Sequence, residues 1–276
     1  MSNLPERTLD SLLFYVIQMD IVWKAKSENL NKIQQLFRTI KPESGSVVVL
    51  PEMFTTGFCM DFKEICEEPG GHTEKLLSKL ASDYEVLIIA GIPLKSDSGK
   101  GKNSAVAIKP DGSVAFRFVK LHPFNPANEE LYYERGCEVV VADYSGWKIS
   151  PFICYDLRFP ESYRAAALEG AEILITIANW PEKRASHWLP LLQARAIENL
   201  AYVVGVNRIG CSPENRYSGE SIILNPWGEV VISAGKSECI IRAELKKETI
   251  NNIRKNFPCL DDAKPPLSAR VKHVKI

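Results

Sequence analysis

The chain has 276 residues, 45% apolar and 25% charged, and its 34 basic and 34 acidic side chains cancel. Such a composition can bury a sizeable core, and balanced charge leaves no basic excess to draw the chain to nucleic acid or to an anionic membrane. The N-terminus lacks a basic segment followed by an apolar stretch and a small-residue cleavage site, and no apolar run approaches membrane-spanning length, so a soluble, cytoplasmic protein is expected. Seven cysteines, irregularly spaced and without a Cys-x-x-Cys pair, argue against a disulfide framework and for a reducing compartment.

Strand-like apolar runs alternate with amphipathic ones along the chain. The spacing predicts a strand at 12–18, a helix at 26–40, a strand at 47–50 and a helix at 72–84. Strands follow at 86–92, 104–108 and 114–119, the last two joined by the turn Pro110-Asp111-Gly112. Further strands are expected at 139–142 and 147–153, then a helix at 160–169, a strand at 173–177 and a helix at 182–199. Strands at 202–206, 221–224 and 230–233 complete the order, with Asn225-Pro226-Trp227-Gly228 turning between the final two. Crossovers mixed with hairpins predict a layered α/β sandwich with mixed sheets, not a purely parallel sheet. No linker, repeat or composition break appears, so 1–276 is expected to form one domain.

Three predicted strands end on reactive side chains. Cys154 follows the apolar run 149–153 and precedes a polar, Pro-containing segment that can open a helix. N–H groups at a helix start, that of Tyr155 included, favour a thiolate and can receive a developing oxyanion. Glu52 follows Val47-Val48-Val49-Leu50-Pro51, an apolar setting suited to a general base. Lys120 follows Val114-Ala115-Phe116-Arg117-Phe118-Val119, and its ammonium would favour the thiolate and stabilise a negative oxygen. Each residue alone has a plainer reading, since free cysteines usually pack in cores and strand-end charges usually face water.

Other groups are weaker candidates. Asp156 and Arg158 suggest a charged cluster around the helix entrance, and Arg158 is also a candidate for binding a substrate carboxylate. The histidines are His72, His122, His187 and His273. Only His122 tempts as partner of a Cys–His pair, and no His/Cys cluster has metal-ligand spacing. Neither a metal nor an organic cofactor is expected.

The segments Leu50-Pro51-Glu52-Met53-Phe54, Lys120-Leu121-His122-Pro123-Phe124 and Ile153-Cys154-Tyr155-Asp156-Leu157-Arg158-Phe159-Pro160-Glu161 resemble the three motifs of the nitrilase superfamily of carbon–nitrogen hydrolases. The resemblance continues through Ala178-Asn179-Trp180-Pro181, His187-Trp188, Gln193-Ala194-Arg195-Ala196-Ile197-Glu198-Asn199 and Gly219-Glu220-Ser221. Thr56-Gly57-Phe58, Asn128-Glu129 ahead of Gly136 and Asn179-Trp180-Pro181 are most similar to the ω-amidase branch, which deamidates 2-oxoglutaramate and 2-oxosuccinamate. The resemblance implies a four-layer αββα sandwich in which Glu52, Lys120 and Cys154 converge. It adds a second glutamate seven positions ahead of a glycine, a spacing held by Glu129 and Gly136, with Glu130 adjacent. Pro123 stands where that motif more usually has leucine.

The implied chemistry is that of an amidase. Glu52 takes the Cys154 proton, the sulfur attacks the amide carbon, and Lys120 with the Tyr155 N–H holds the oxyanion. Ammonia leaves a thioester, which water activated by Glu52 hydrolyses. Glu129 positions Lys120 or the substrate, and Arg158 and Trp180 contact the substrate. A small linear amide bearing a carboxylate is the expected ligand, and a homodimer the expected assembly. The rival readings are the same site acting on a nitrile or N-carbamoyl amine, and an inactive binding or scaffold protein. Intact Glu52, Lys120 and Cys154 argue against the last.

Overall fold

The structure, a computed structural model, describes residues 9–263. Its first sheet places β1 (Ser11–Gln18), β2 (Val47–Val49), β3 (Leu87–Lys95), β4 (Gly101–Ile108) and β5 (Val114–Val119) side by side, with β14 (Cys239–Lys246) outside β1. β1, β2 and β3 are parallel, and β3–β4–β5 is an antiparallel meander. The second sheet runs β13 (Val230–Ser233), β12 (Ile222–Leu224), β9 (Tyr202–Asn207), β8 (Ile173–Ala178), β7 (Trp147–Ile153) and β6 (Ala142–Tyr144). There β7, β8 and β9 are parallel and the outer strands antiparallel. A small hairpin, β10 (Ile209–Cys211) with β11 (Arg216–Ser218), stands apart.

Side-chain parity explains the layers. On β1, Phe14 and Val16 join the core shared with the second sheet, while Tyr15 and Ile17 join the core under the helices α1 (Lys26–Ile40) and α3 (His72–Tyr84). Strands covered on both faces read as unbroken apolar runs, as Val47-Val48-Val49 does. α1 meets its sheet through Leu30, Ile33 and Phe37, which lie on one helix face. The second sheet is covered by α5 (Pro160–Leu168) and α6 (Ala185–Asn199), through Tyr163, Ala166, Trp188, Leu192 and Ala196. Phe118 of β5 and Phe152 of β7 meet edge to face, their centroids 6.0 Å apart, and the Phe152 ring stacks on Tyr163 of α5 at 3.7 Å. Each such buried ring contributes about 1.5–3 kcal/mol, and the pairing adds about 0.5–1.5 kcal/mol.

Several elements depart from expectation. The strand expected at 139–142 is β6, which starts only at Ala142; Val139, Val140 and Val141 pack against the core without pairing. The helix expected at 182–199 opens with a 3-10 turn, Glu182–Arg184, before α6. The one-turn helices α2 (Phe62–Ile65) and α4 (Glu129–Tyr132) were not anticipated, nor were β10, β11, β14 and α7 (Lys247–Asn256). β14 pairs antiparallel with all of β1, so a C-terminal strand completes the sheet built by the N-terminal half. No helix among the described residues is long and apolar enough to cross a membrane.

Candidate active site

β2 and β3 are parallel, and two antiparallel steps return β5 to the same direction. Glu52 and Lys120 therefore emerge at one edge of the first sheet. β7 and β8 deliver Cys154 and Asn179 to that edge from the second sheet, where the Asn179 N–H donates to Glu52 Oε2 at 2.7 Å. The Asn179 amide also donates to the Glu52 carbonyl oxygen at 2.6 Å, tying the two sheets together at the site.

A buried chain of charges lies here. Glu52 Oε1 accepts from Lys120 Nζ at 3.2 Å and from Asn103 Nδ2 at 2.7 Å. Glu129 Oε2 accepts from Lys120 Nζ at 2.7 Å and from the Phe124 N–H at 2.6 Å. Asn103 Nδ2 also donates to Glu129 Oε1 at 3.0 Å and so spans both carboxylates. Glu129 is fully buried and Glu130 exposed, so Glu129 is the one of the two that meets Lys120. Burial pulls the Lys120 ammonium down, but Glu129 and Glu52 outweigh it and hold Lys120 above the ordinary lysine range. Pro123 leaves these contacts intact.

Two glycines permit this convergence. A β-carbon on Gly91 of β3 would overlap the Glu52 backbone, and one on Gly136 would overlap the Val119 carbonyl. The Gly136 N–H donates to the Lys120 carbonyl at 2.8 Å, which gives the seven-residue spacing from Glu129 its physical reason.

Cys154 has φ +46°, a left-handed conformation strained for a side chain with a β-carbon, at the turn from β7 into a 3-10 segment, Cys154–Arg158. Asp156 holds that turn. Its Oδ2 accepts from the Ile153 N–H at 3.0 Å and its Oδ1 from the His122 N–H at 2.8 Å, so the loop after Lys120 is tied to the turn bearing Cys154. The His122 ring sits 2.9 Å from Asp156 through Nδ1 and stacks on Phe159 at 3.8 Å, which engages it away from any Cys–His pair. His187 meets Arg158, His72 opens α3, and His273 lies outside the described residues.

From the sequence, the helix start and Lys120 were expected to favour a Cys154 thiolate. Desolvation, then the Glu52 and Glu129 charges, outweigh Lys120 and push the Cys154 thiol well above its ordinary value. Two carboxylates face it against one ammonium. The charges around Cys154 therefore favour its protonated thiol.

A cavity of about 490 Å³ opens over Cys154 and Lys120, walled in part by Phe58, Phe124, Tyr155 and Trp180. The Tyr155 N–H lies in the first turn of the 3-10 segment, where it has no preceding intrahelical acceptor. Arg158 lines the cavity 5.0 Å over the Trp180 ring, with Nη2 3.0 Å from His187 Nδ1. Trp180 is almost fully buried and donates through Nε1 to the Arg184 carbonyl at 2.8 Å, so it is mainly a platform. Arg184 also lines the cavity. It, Asn103 and Asn179 are the site residues the sequence reading missed in their roles. Asn179 stood within a recognised motif, whereas Arg184 carried no signal beyond its place in the helix predicted at 182–199, and Asn103 fell just outside the strand predicted at 104–108. Among the described residues no group of three or more His, Cys, Asp or Glu side chains is arranged to hold a metal ion.

A profile of the carbon-nitrogen hydrolase family matches residues 16–255. The chain belongs to that family. This hydrolase is 35% identical over 252 residues to the 2-oxoglutaramate amidase of Bacillus subtilis, covering 91% of this chain and 97% of that protein. It is also 35% identical over 257 residues to omega-amidase YafV of Escherichia coli K12, covering 92% and 98%. Among solved structures it is similar to XC1258 from Xanthomonas campestris, a CN-hydrolase superfamily protein with an arsenic adduct in its active site. That likeness has a TM-score of 0.88 at 28% identity and covers 95% of this chain and 100% of that one. The superfamily resemblance and the αββα sandwich are borne out.

Proposed function

We propose that this carbon–nitrogen hydrolase is an amidase for short ω-amides of 2-oxo dicarboxylates, 2-oxoglutaramate or 2-oxosuccinamate, acting through a Cys154 thioester. One observation carries the reading: the Cys154 thiol and a buried carboxylate–ammonium–carboxylate chain share the floor of a cavity with guanidinium groups in its wall. The names of the two relatives support the choice of substrate.

In this reading Glu52 takes the thiol proton as Cys154 Sγ bonds to the amide carbon. The oxygen, now negative, meets the Lys120 ammonium and the Tyr155 N–H, an interaction of the kind that contributes about 10²–10³ in rate per donor. Glu52 returns the proton to the nitrogen, the C–N bond breaks, and ammonia leaves a thioester. Water then attacks the thioester carbon and gives its proton to Glu52, the acid departs, and the proton returns to sulfur. Glu129 is a positioning residue, because it acts through Lys120. The cationic wall suits the distal carboxylate of a short amide. Both sheets contribute to the one site, which supports reading the chain as one catalytic domain, and its unpaired cysteines suit a cytoplasmic setting.

The test measures ammonia release and compares kcat/KM for 2-oxoglutaramate, a carboxylate-free amide of equal length, an N-carbamoyl amino acid and an aliphatic nitrile. 2-Oxoglutaramate should rank first. A preference above about tenfold for either of the last two, about 1.4 kcal/mol of transition-state binding, would overturn the substrate assignment. A folded Cys154→Ala variant that kept most activity would sink the mechanism itself.

A further inference from the structure

Among the described residues Arg184 has no partner for its charge. Its guanidinium lies 4.9 Å over the Phe124 ring, half-buried in the wall of the cavity that holds Cys154 and Lys120. Among the described residues no hydrogen bond or ion pair reaches its side chain, although carboxylates are near in sequence. Glu182 pairs with Arg216 at 3.7 Å instead. Glu214 shares the cavity wall but is exposed and makes no bond to Arg184. Burial and the Arg158 charge pull Arg184 below the ordinary arginine value, with Cys154, Tyr217 and Tyr155 opposing. An anion in the cavity would supply the compensation that the protein withholds, and a planar guanidinium suits a carboxylate in two-point contact.

Arg158 is placed differently. It is already engaged with the Trp180 face and His187 Nδ1. Arg184, by contrast, is anchored only through its backbone, whose carbonyl accepts from Trp180 Nε1 at 2.8 Å.

The ring beneath Arg184 sets a distance. Phe124 donates its N–H to Glu129 Oε2 at 2.6 Å, and the same oxygen accepts from Lys120 Nζ at 2.7 Å. The platform under the guanidinium is therefore fixed relative to the ammonium that meets the oxyanion. Substrates whose carboxylate and amide carbonyl match that separation would be selected.

We propose that Arg184 is the receptor for the substrate's remote carboxylate and sets selectivity for anionic amides of a fixed length. The proposal rests on the amidase reading above for its substrate, but an anion titration tests it separately. Arg184→Met and Arg184→Lys are assayed on 2-oxoglutaramate and on the carboxylate-free amide, and 2-oxoglutarate binding to each is measured by calorimetry. Arg184→Met should lose on the order of 100-fold in kcat/KM on the anionic amide, the scale for removing one partner of a desolvated charge pair. That loss should exceed the loss on the neutral amide by about 30-fold, and Arg184→Lys should recover about tenfold, as expected when the charge is kept without the planar fork. The Kd for 2-oxoglutarate should rise at least about tenfold in Arg184→Met. Equal losses on the two amides, or an unchanged Kd, overturn the proposal. A wild type that favours the neutral amide overturns the 2-oxo substrate reading, and the titration still decides Arg184. A wild type that does not bind 2-oxoglutarate overturns both.

Discussion

At Cys154 the charges on either side of the sulfur determine which chemistry a variant should gain or lose. Glu52 raises the thiol pKa, so Glu52→Gln should lower it and leave more thiolate at any given pH. Iodoacetamide at pH 8 should then alkylate Cys154 faster in the variant than in wild type. Amide hydrolysis should fall by about two to four decades, because the amide side chain cannot take the proton. Peptide mapping after brief exposure reads the first effect and ammonia release the second; equal alkylation rates would show that Glu52 does not act on the thiol. In wild type the exposed Cys137 and Cys211 should label before Cys154, the reverse of what a thiolate at a helix start would give. The three reactive residues were legible because each ends an apolar run. Their electrostatic sum was not, because it depends on Glu129 and on burial, and neither the depth of a side chain nor its neighbours across two sheets can be read from spacing.

The strands and loops are held close by backbone contacts that tolerate no β-carbon. Gly136→Ala should force its loop away from Val119, at a cost of about 3 kcal/mol, a typical upper value for overpacking. The midpoint of thermal unfolding should drop by roughly 6–12 °C. Activity should fall further than stability does, because Lys120 shares that backbone contact. A melting curve within about 1 °C of wild type would mean that the loop yields freely. Strands and helices covered on two faces, such as β2 and β7, were readable from their runs. β14 was missed although its Ile241 and Leu245 face the core and its Arg242 and Glu244 do not, a period of two on a half-exposed edge. Val139-Val140-Val141 looked like a strand and is apolar packing without partners, since periodicity reports burial and not pairing.

Neither sheet contains the site by itself. Glu52 and Lys120 end strands of the first sheet, and Cys154 and Asn179 end strands of the second. The layer order was legible from the alternation of elements, but which strand ends meet followed only from the strand order within each sheet and the packing of the two sheets on each other. Phe118 and Phe152, each two residues from Lys120 or Cys154, meet edge to face and join β5 of one sheet to β7 of the other. Phe118→Leu should cost about 1–2 kcal/mol of stability. It should lower kcat by about tenfold or more while moving 2-oxoglutarate affinity by less, as sub-ångström misplacement of reacting groups does. Equal changes in kcat and affinity would refute the separation of effects. Two slabs of hydrocarbon thus act as a caliper whose jaws are the proposed base and nucleophile. In the proposed mechanism their packing sets how far one proton must travel, through side chains that do not line the cavity.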